Sequence, residues 1–133
     1  MKKDIPIPTV KDIAIAIVKE EEEGEIVWRV YFLNYNPFLI KNVLISSRGY
    51  GNINDQRKKT SSFSHFLGDV NEKAFKAFEL INEAVFGLTN EFLVTYYIDG
   101  VIYDKKYIFL PDAIQEKHFT AIPILNKQGV LIK

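Results

Sequence analysis

Side chains suited to binding a charged ligand are concentrated between residues 41 and 66, where basic and aromatic residues are mixed. Five cations accompany one acid, Asp55, over residues 41–59, a local charge of +4; the cations are Lys41, Arg48, Arg57, Lys58 and Lys59. The aromatic and imidazole side chains are Tyr50, Phe63, His65 and Phe66. In proteins that bind single-stranded nucleic acid, arginine and lysine neutralise phosphates while an aromatic ring stacks on a base. The stretch therefore predicts either such a surface or a solvated loop whose lysines keep an edge strand soluble.

A second group contains the residue types of nucleophilic catalysis, namely Ser62, Ser64, His65 and Asp69. Adjacent strand residues point to opposite faces, so the Ser64 hydroxyl and the His65 imidazole diverge. A catalytic triad is defined by geometry, and this spacing does not favour it. No carboxylate pair stands out among the seventeen acids either. We expect no catalytic residue and interpret the protein as a non-enzyme.

Metal, cofactor and phosphate sites are also not expected. The chain has no cysteine, and its two histidines, His65 and His118, stand fifty-three positions apart, whereas a zinc site needs several converging ligands. Gly49-Tyr50-Gly51 lacks the later glycine and the following helix of a phosphate loop. The run Lys19–Glu25 could attract a cation or a basic partner, but blocks of like charge are typical of solvated turns, and we adopt that interpretation.

The strongest structural signal is a β-hairpin over residues 90–111, with Asp99-Gly100 as a two-residue type I′ turn. Such a turn predicts four cross-strand pairs: Ile98 with Val101, Tyr96 with Tyr103, Val94 with Lys105, and Phe92 with Tyr107. One face of this ribbon is then almost wholly apolar. The opposite face carries Thr95, Asp104 and Lys106. A ribbon of this kind needs a partner layer to be stable.

Earlier segments supply candidate strands for that layer. Residues 1–9, with Pro6 and Pro8, predict an extended lead-in. Residues 12–18 alternate isoleucine with alanine, as expected for a strand with a core on one face and another layer close to the other. Residues 26–34 form the next strand and direct Trp28 into the core. Residues 40–48 return as a third, which ends in a bend or bulge at Gly49–Gly51, and residues 60–67 predict a fourth with Phe63 or Phe66 inward.

The later segments are less regular. Residues 71–85 carry apolar side chains at helical spacing and also alternate, so helix and strand both remain open from the residues alone. Residues 112–118 predict one or two helical turns capped by Asp112. Residues 119–125 and 130–132 predict short strands around a turn at 126–129, with Pro123 best placed on an edge.

Together these elements predict an all-β fold of about seven strands with one short helix near the C-terminus. Its architecture would be a two-layer sandwich of the immunoglobulin or fibronectin type in one domain, residues 1–133. A chain of 133 residues with 47% hydrophobic and 14% aromatic residues is long enough for one core. We expect its anchors to be Trp28, Phe92, Tyr96 and Tyr103.

Balanced charge and the lack of cysteine limit the surroundings of the protein. Seventeen basic and seventeen acidic residues cancel, so overall charge indicates neither nucleic acid nor an anionic membrane as a partner. No signal-peptide h-region or membrane-spanning run is present in the sequence. We expect a soluble cytoplasmic protein.

Four segments carry a family resemblance: NVLISSRGYG (42–51), VFGLTNE (85–91), YDKKY (103–107) and LNK (125–127). Together they resemble a family of small uncharacterised bacterial proteins, and the resemblance covers most of the chain. It implies a strand at residues 75–80. Some members carry an automatic label, phenylalanyl-tRNA synthetase alpha subunit, but no signature motif of a class II synthetase is present here in order. The resemblance therefore implies no catalytic residue.

Two functions follow as hypotheses. The first is an interaction module that binds another protein or a second copy of itself, with anchors among the tyrosines we expect at outward or edge positions: Tyr31, Tyr35, Tyr97 and Tyr107. The second is an accessory protein that binds RNA or single-stranded nucleic acid through Arg48, Tyr50, Arg57, Lys58 and Lys59.

Overall fold

The structure, a computed structural model, describes residues 9–133 and contains ten strands in two antiparallel sheets. The strands are β1 (Ile13–Glu22), β2 (Glu25–Asn34), β3 (Ile40–Ile53), β4 (Gln56–Lys59), β5 (Phe63–Val70), β6 (Ala74–Ile81), β7 (Thr89–Ile98), β8 (Val101–Phe109), β9 (Thr120–Ile122) and β10 (Lys127–Ile132). Sheet A has the order β6-β2-β1-β10-β9. Sheet B has the order β4-β3-β7-β8, with β5 also paired to β3. The all-β prediction is confirmed, but the count of about seven strands is wrong.

The two sheets bury one main core between them. Alternation along β1 sends Ile13, Ile15 and Ile17 into it, and β2 adds Trp28, Val30 and Phe32. Sheet B contributes residues that include Ile45 from β3 and five from the β7–β8 hairpin, Phe92, Val94, Tyr96, Tyr107 and Phe109. The Trp28 indole is only 7% exposed, and its N–H donates to Glu83 Oε1 at 2.8 Å. The only tryptophan therefore lies between the sheets with its polar group satisfied, as predicted.

The hairpin register is confirmed for all four predicted pairs. Asp99 and Gly100 have φ of 49° and 74°, the two positive values that a type I′ turn needs. Tyr96 stacks on Tyr103 with ring centroids 5.3 Å apart. Tyr103 is only partly buried, so it packs against the core from the edge strand rather than inside it.

A smaller second core covers the other face of sheet A. Ala14 and Ala16 of β1 lie there beside Leu33, and the chain around the β9–β10 turn lays Ile122 and Leu125 over them. The small alanines allow this close approach, so the predicted second layer exists and belongs to the same chain. The β9–β10 turn spans residues 123–126, three positions earlier than predicted, because β10 already begins at Lys127.

One strand prediction in sheet B is wrong, and a second holds only in part. The chain does not bend at Gly49–Gly51; β3 continues to Ile53 and reverses at Asn54-Asp55 into β4. Phe66 points outward and is 68% exposed. Phe63 and His65 lie on the inward side, because they are paired with the buried Ser47 and Ile45, but Phe63 begins the strand and is still 55% exposed.

The ambiguous segment is strand β6, as the family resemblance implied. A bulge between β2 and β6 shifts the register between Val30 and Tyr31. As a result Ala74, Phe78 and Ile81 pack against the core four and three residues apart. This spacing imitates a helix, which explains why the periodicity was ambiguous.

Near the C-terminus the predicted helix is reduced to one 3-10 turn, Glu116–His118. Asp112 does not cap it, since Gln115 occupies the N-cap position and Asp112 has a φ of 62°. The predicted lead-in falls, for residues 1–8, outside the described part of the chain.

Candidate interaction surface

The surface of sheet B that faces away from the core is exposed, and we call it the outer face. Strand alternation places on it Leu44, Ser46, Arg48 and Tyr50 of β3, Ser64 and Phe66 of β5, Glu91, Leu93, Thr95 and Tyr97 of β7, and Ile102, Asp104, Lys106 and Ile108 of β8. Its large apolar side chains are 39–68% exposed within residues 9–133: Leu44, Phe66, Leu93, Ile102 and Ile108. Sheet A covers the middle of its corresponding face with its own chain and leaves Phe75 and Leu80 of the edge strand β6 42% and 58% exposed, whereas the outer face has no such cover among the described residues.

A buried carboxylate organises the charges of the outer face. Glu91 is 6% exposed and accepts a hydrogen bond from Arg48 Nε at 2.7 Å, while Lys106 Nζ lies 3.6 Å away. The Arg48 guanidinium also lies 5.3 Å from the ring centroid of Tyr50. Burial raises the pKa of the Glu91 carboxyl, but the bond to Arg48 and the charges of Arg48 and Lys106 outweigh it and lower that pKa. Glu91 is thus held ionised between Arg48 and Lys106.

Four of the five predicted nucleic-acid residues share the outer face. In the β3–β4 hairpin, Lys59 pairs with Tyr50 and Arg57 with Asn52, so both cations project on the same side as Tyr50 and Arg48. Lys58 pairs with Gly51 and projects on the opposite side. Arg57 and Lys59 form no ion pair within residues 9–133 and are exposed. The structure therefore builds a basic corner at one end of the outer face and excludes Lys58 from it.

The tyrosines expected at outward or edge positions divide into two groups. Tyr107 is 1% exposed and its hydroxyl donates to the Ile13 carbonyl at 3.3 Å, so the outward prediction is wrong for this residue. It pairs with Phe92 on the inward side of the hairpin. Tyr31 points away from the main core but is buried as a member of the second core, so it offers no exposed anchor either, while Tyr35 and Tyr97 are half-buried. Only Tyr97 lies on the outer face.

The serine, histidine and aspartate considered for catalysis point to different partners. Ser64 Oγ lies 3.2 Å from Ser46 Oγ on the outer face, and the Asp69 carboxylate accepts from the Asn42 backbone N–H at 3.2 Å. His65 lies on the inward side, 2.8 Å from Glu79 Oε1 through its Nε2. The structure does not bring these residues together.

A polar cluster that the sequence did not reveal joins the two sheets. Glu79 Oε1 of β6 accepts from Ser47 Oγ of β3 at 2.5 Å and bonds to His65 Nε2 of β5 at 2.8 Å. A proton relay would need the imidazole between the hydroxyl and the carboxylate, but here both groups meet the same carboxylate oxygen. The cluster therefore ties β3 and β5 to β6. Its members are 14 to 32 residues apart, and no local spacing announces them.

The acidic run is only partly the solvated loop that the sequence predicted. Strand β1 continues through Glu22, and the Glu20 carboxylate contacts Arg29, Tyr31 and Lys127. Burial raises the pKa of Glu20, but bonds from Lys127, Tyr31 and Arg29 outweigh it and lower that pKa. Glu20 is thus part of the surface of sheet A. The chain turns at Glu23-Gly24, where the solvated interpretation fits.

Three further observations bear on function. Within residues 9–133, no cluster of three or more histidine or carboxylate side chains could hold a metal ion. No helix in the described part of the chain is long and apolar enough to cross a membrane. The sequence matches no protein-family model and no curated protein. The resemblance noted above therefore stays a prediction.

Proposed function

We propose that the protein is a non-enzymatic interaction module whose partner is a second copy of the same chain. The contact surface is sheet B, comprising the outer face and the edge of β8, which pairs with no further strand within residues 9–133. The observation that carries this proposal is the concentration of exposed large apolar side chains on the outer face. An antiparallel sheet with one solvated face normally alternates apolar and polar residues, so such a surface calls for a covering partner.

The size and chemistry of the outer face fit a protein contact of moderate strength. Four strands about 4.8 Å apart and about ten residues long give on the order of 500–600 Å². A standard interface buries about 800 Å² per partner, so we expect self-association at roughly micromolar concentration. Exposed leucine, isoleucine and phenylalanine beside an arginine and a tyrosine resemble the centre of an interface in composition.

Sedimentation velocity over a range of concentrations tests the proposal. Ile102→Glu and Ile108→Glu place a charge on the apolar part of the outer face and should each weaken self-association. Ile26→Glu is the matched control, because Ile26 is 54% exposed on sheet A. A protein that stays monomeric up to millimolar concentration would refute the proposal.

Two further features belong to this proposal. The non-enzymatic assignment is supported by the divergence of Ser64, His65 and Asp69. A cytoplasmic location is supported by the lack of cysteine.

We also keep the immunoglobulin or fibronectin type as the proposed form of the sandwich, supported by two facing antiparallel sheets with Trp28 between them.

We propose nucleic-acid binding as the second candidate, supported by the basic corner of Arg48, Arg57 and Lys59 around Tyr50. Fluorescence anisotropy with a labelled single-stranded oligonucleotide and with tRNA tests it. Binding should weaken steeply with salt, and Arg57→Glu together with Lys59→Glu should abolish it. Lys58→Glu is the matched control, because Lys58 projects to the other side. No binding at low salt would eliminate this candidate.

A further inference from the structure

We infer that two copies join by pairing strand β8 with β8 of the second copy, antiparallel about a two-fold axis at Lys105. In this register Ile102 lies opposite Ile108 of the second copy, and Asp104 lies opposite Lys106. The inference rests on the proposed function, because it names the edge contact of that self-association. It covers Ile102 and Ile108 of β8 and leaves Leu44, Phe66 and Leu93 to a contact through the outer face itself. It makes the two B sheets into one continuous antiparallel sheet.

The hairpin turn determines which backbone groups β8 can offer. A two-residue turn makes Ile98 and Val101 a hydrogen-bonded pair, and hydrogen-bonded pairs then alternate along the ladder. The odd-numbered residues from 101 to 109 therefore bond to β7. The N–H and C=O groups of Ile102, Asp104, Lys106 and Ile108 point away from β7 toward the edge. All four residues have exposed side chains, and within residues 9–133 no further strand pairs with their backbone groups.

The order of these four side chains is self-complementary. Read along the strand they are apolar, acidic, basic and apolar, so an antiparallel copy centred on Lys105 opposes apolar with apolar and acid with base. Cross-strand pairs of both kinds stabilise a sheet. A shift of two residues opposes Asp104 with Asp104 or Lys106 with Lys106, and like charges directly opposite are destabilising. Charge thus selects one register.

Lys105 is the residue that meets its own copy on the axis. Its ammonium lies 5.0 Å from the ring centroid of Tyr107 in the same strand, two residues along the chain. This position draws the ammonium away from the axis. The two lysines therefore need not oppose each other head to head.

The other edges carry features that hinder strand addition. Strand β4 has four residues, three of which are basic, and strand β9 has three residues. Strand β6 is bulged against β2, and β5 has a register shift against β3. Strand β8 has nine residues in an unbroken register with β7. Short or bulged edges are known protections against pairing, and β8 lacks them.

Charge reversal tests the register. Asp104→Lys and Lys106→Asp each place like charges opposite each other at both symmetric positions. Each variant alone should therefore dimerise about tenfold more weakly or worse. An equimolar mixture of the two variants should recover affinity near the parent value, because the heterodimer pairs lysine with aspartate at both positions. Asp55→Lys, in the β3–β4 turn, is the matched control for the change in charge and should have no effect.

Amide hydrogen exchange followed by NMR provides a second readout. The N–H groups of Ile102, Asp104, Lys106 and Ile108 should become protected as concentration rises, while those of residues 103, 105 and 107 are protected at every concentration. A protein that never dimerises removes both this inference and the proposed self-association. A dimer that tolerates both reversals, with no gain on mixing, overturns the β8 pairing alone. Protection of the four amides in the dilute monomer also overturns it, since the edge would then already be covered.

Discussion

Gly129→Ala is the sharpest test of how sheet A is built. Gly129 lies in β10 between two neighbours, since it pairs with Val18 of β1 and with Thr120 of β9. A Cβ at this position would lie 2.5 Å from the Ile17 carbonyl oxygen and 3.0 Å from Ile122 Cδ1. The closest atom belongs to the backbone of β1, which cannot rotate out of the way. The alanine variant must therefore move β10 away from β1.

The expected cost follows from these contacts. Overpacking a close-packed site costs about 1–3 kcal/mol. Displacement of β10 also lengthens ladder bonds to β1, each of which contributes about 0.5–1.5 kcal/mol. We therefore expect Gly129→Ala to lower the free energy of unfolding by about 3 kcal/mol or more. For a domain of this length, that loss lowers the Tm by roughly 10 °C.

Urea denaturation followed by circular dichroism measures the loss, and Gly87→Ala is the matched control. A Cβ at Gly87 would meet no atom within 4 Å, so that variant should be neutral or more stable by about 0.5 kcal/mol. A Gly129→Ala variant that loses less than about 1 kcal/mol would refute the placement of β10 between β1 and β9. It would also remove the argument for the second core, because Ile122 belongs to that core.

Three other predictions follow from single residues. Trp28, the only tryptophan, should show blue-shifted emission and poor quenching by iodide in the folded protein, and a quenchable indole would contradict its burial. Trp28→Phe should lower the free energy of unfolding by about 1–2 kcal/mol, because the bond to Glu83 is lost. Burial, aided by the charges of Tyr103 and Asp12, raises the pKa of Tyr96 to about 12. The free energy of unfolding should therefore fall as pH rises from about 10 to 12. Tyr96→Phe should reduce this fall in denaturation experiments across the same pH range. Because the pKa of Glu91 is lowered in the folded state, the ionised carboxylate stabilises the fold above the ordinary pKa of a glutamate, and this stabilisation is lost as acid protonates Glu91. Glu91→Gln should remove this part of the dependence of unfolding free energy on acid pH. An unchanged acid profile in the variant would contradict the prediction.

The elements that the sequence predicted correctly depend on local chemistry. The β7–β8 register follows from a two-residue turn, since Asp99-Gly100 leaves only one pairing between the flanking strands. Strand β1 follows from isoleucine and alanine in strict alternation, which assigns one face to each core. In both cases the information lies within ten residues.

The features that the residues alone left open or did not reveal depend on partners distant in the chain. Strand β6 takes its spacing from a bulge against β2, about forty-five residues earlier, so no window of the sequence contains the cause. The sequence shows the residues of the basic corner, because they are concentrated in one stretch. It does not show that Glu91 bonds to Arg48, because the two residues are 43 positions apart and nothing distinguishes Glu91 from the other acids of the strands. Register alone makes it a buried carboxylate beside two cations.

The contrast between the two sheets gives the strongest reason to regard the outer face as a contact surface. In the middle of sheet A the outward residues of β1 are small alanines covered by Ile122 and Leu125 of the same chain, while Phe75 and Leu80 of the edge strand β6 stay exposed. Sheet B places leucine, isoleucine and phenylalanine outward and, within residues 9–133, leaves them 39–68% exposed. A face selected only for solubility would not combine such side chains with a buried ionised carboxylate that holds Arg48 in place. Ordered charge within an apolar surface specifies how a partner must approach, which is a property of interfaces rather than of solvated sheets.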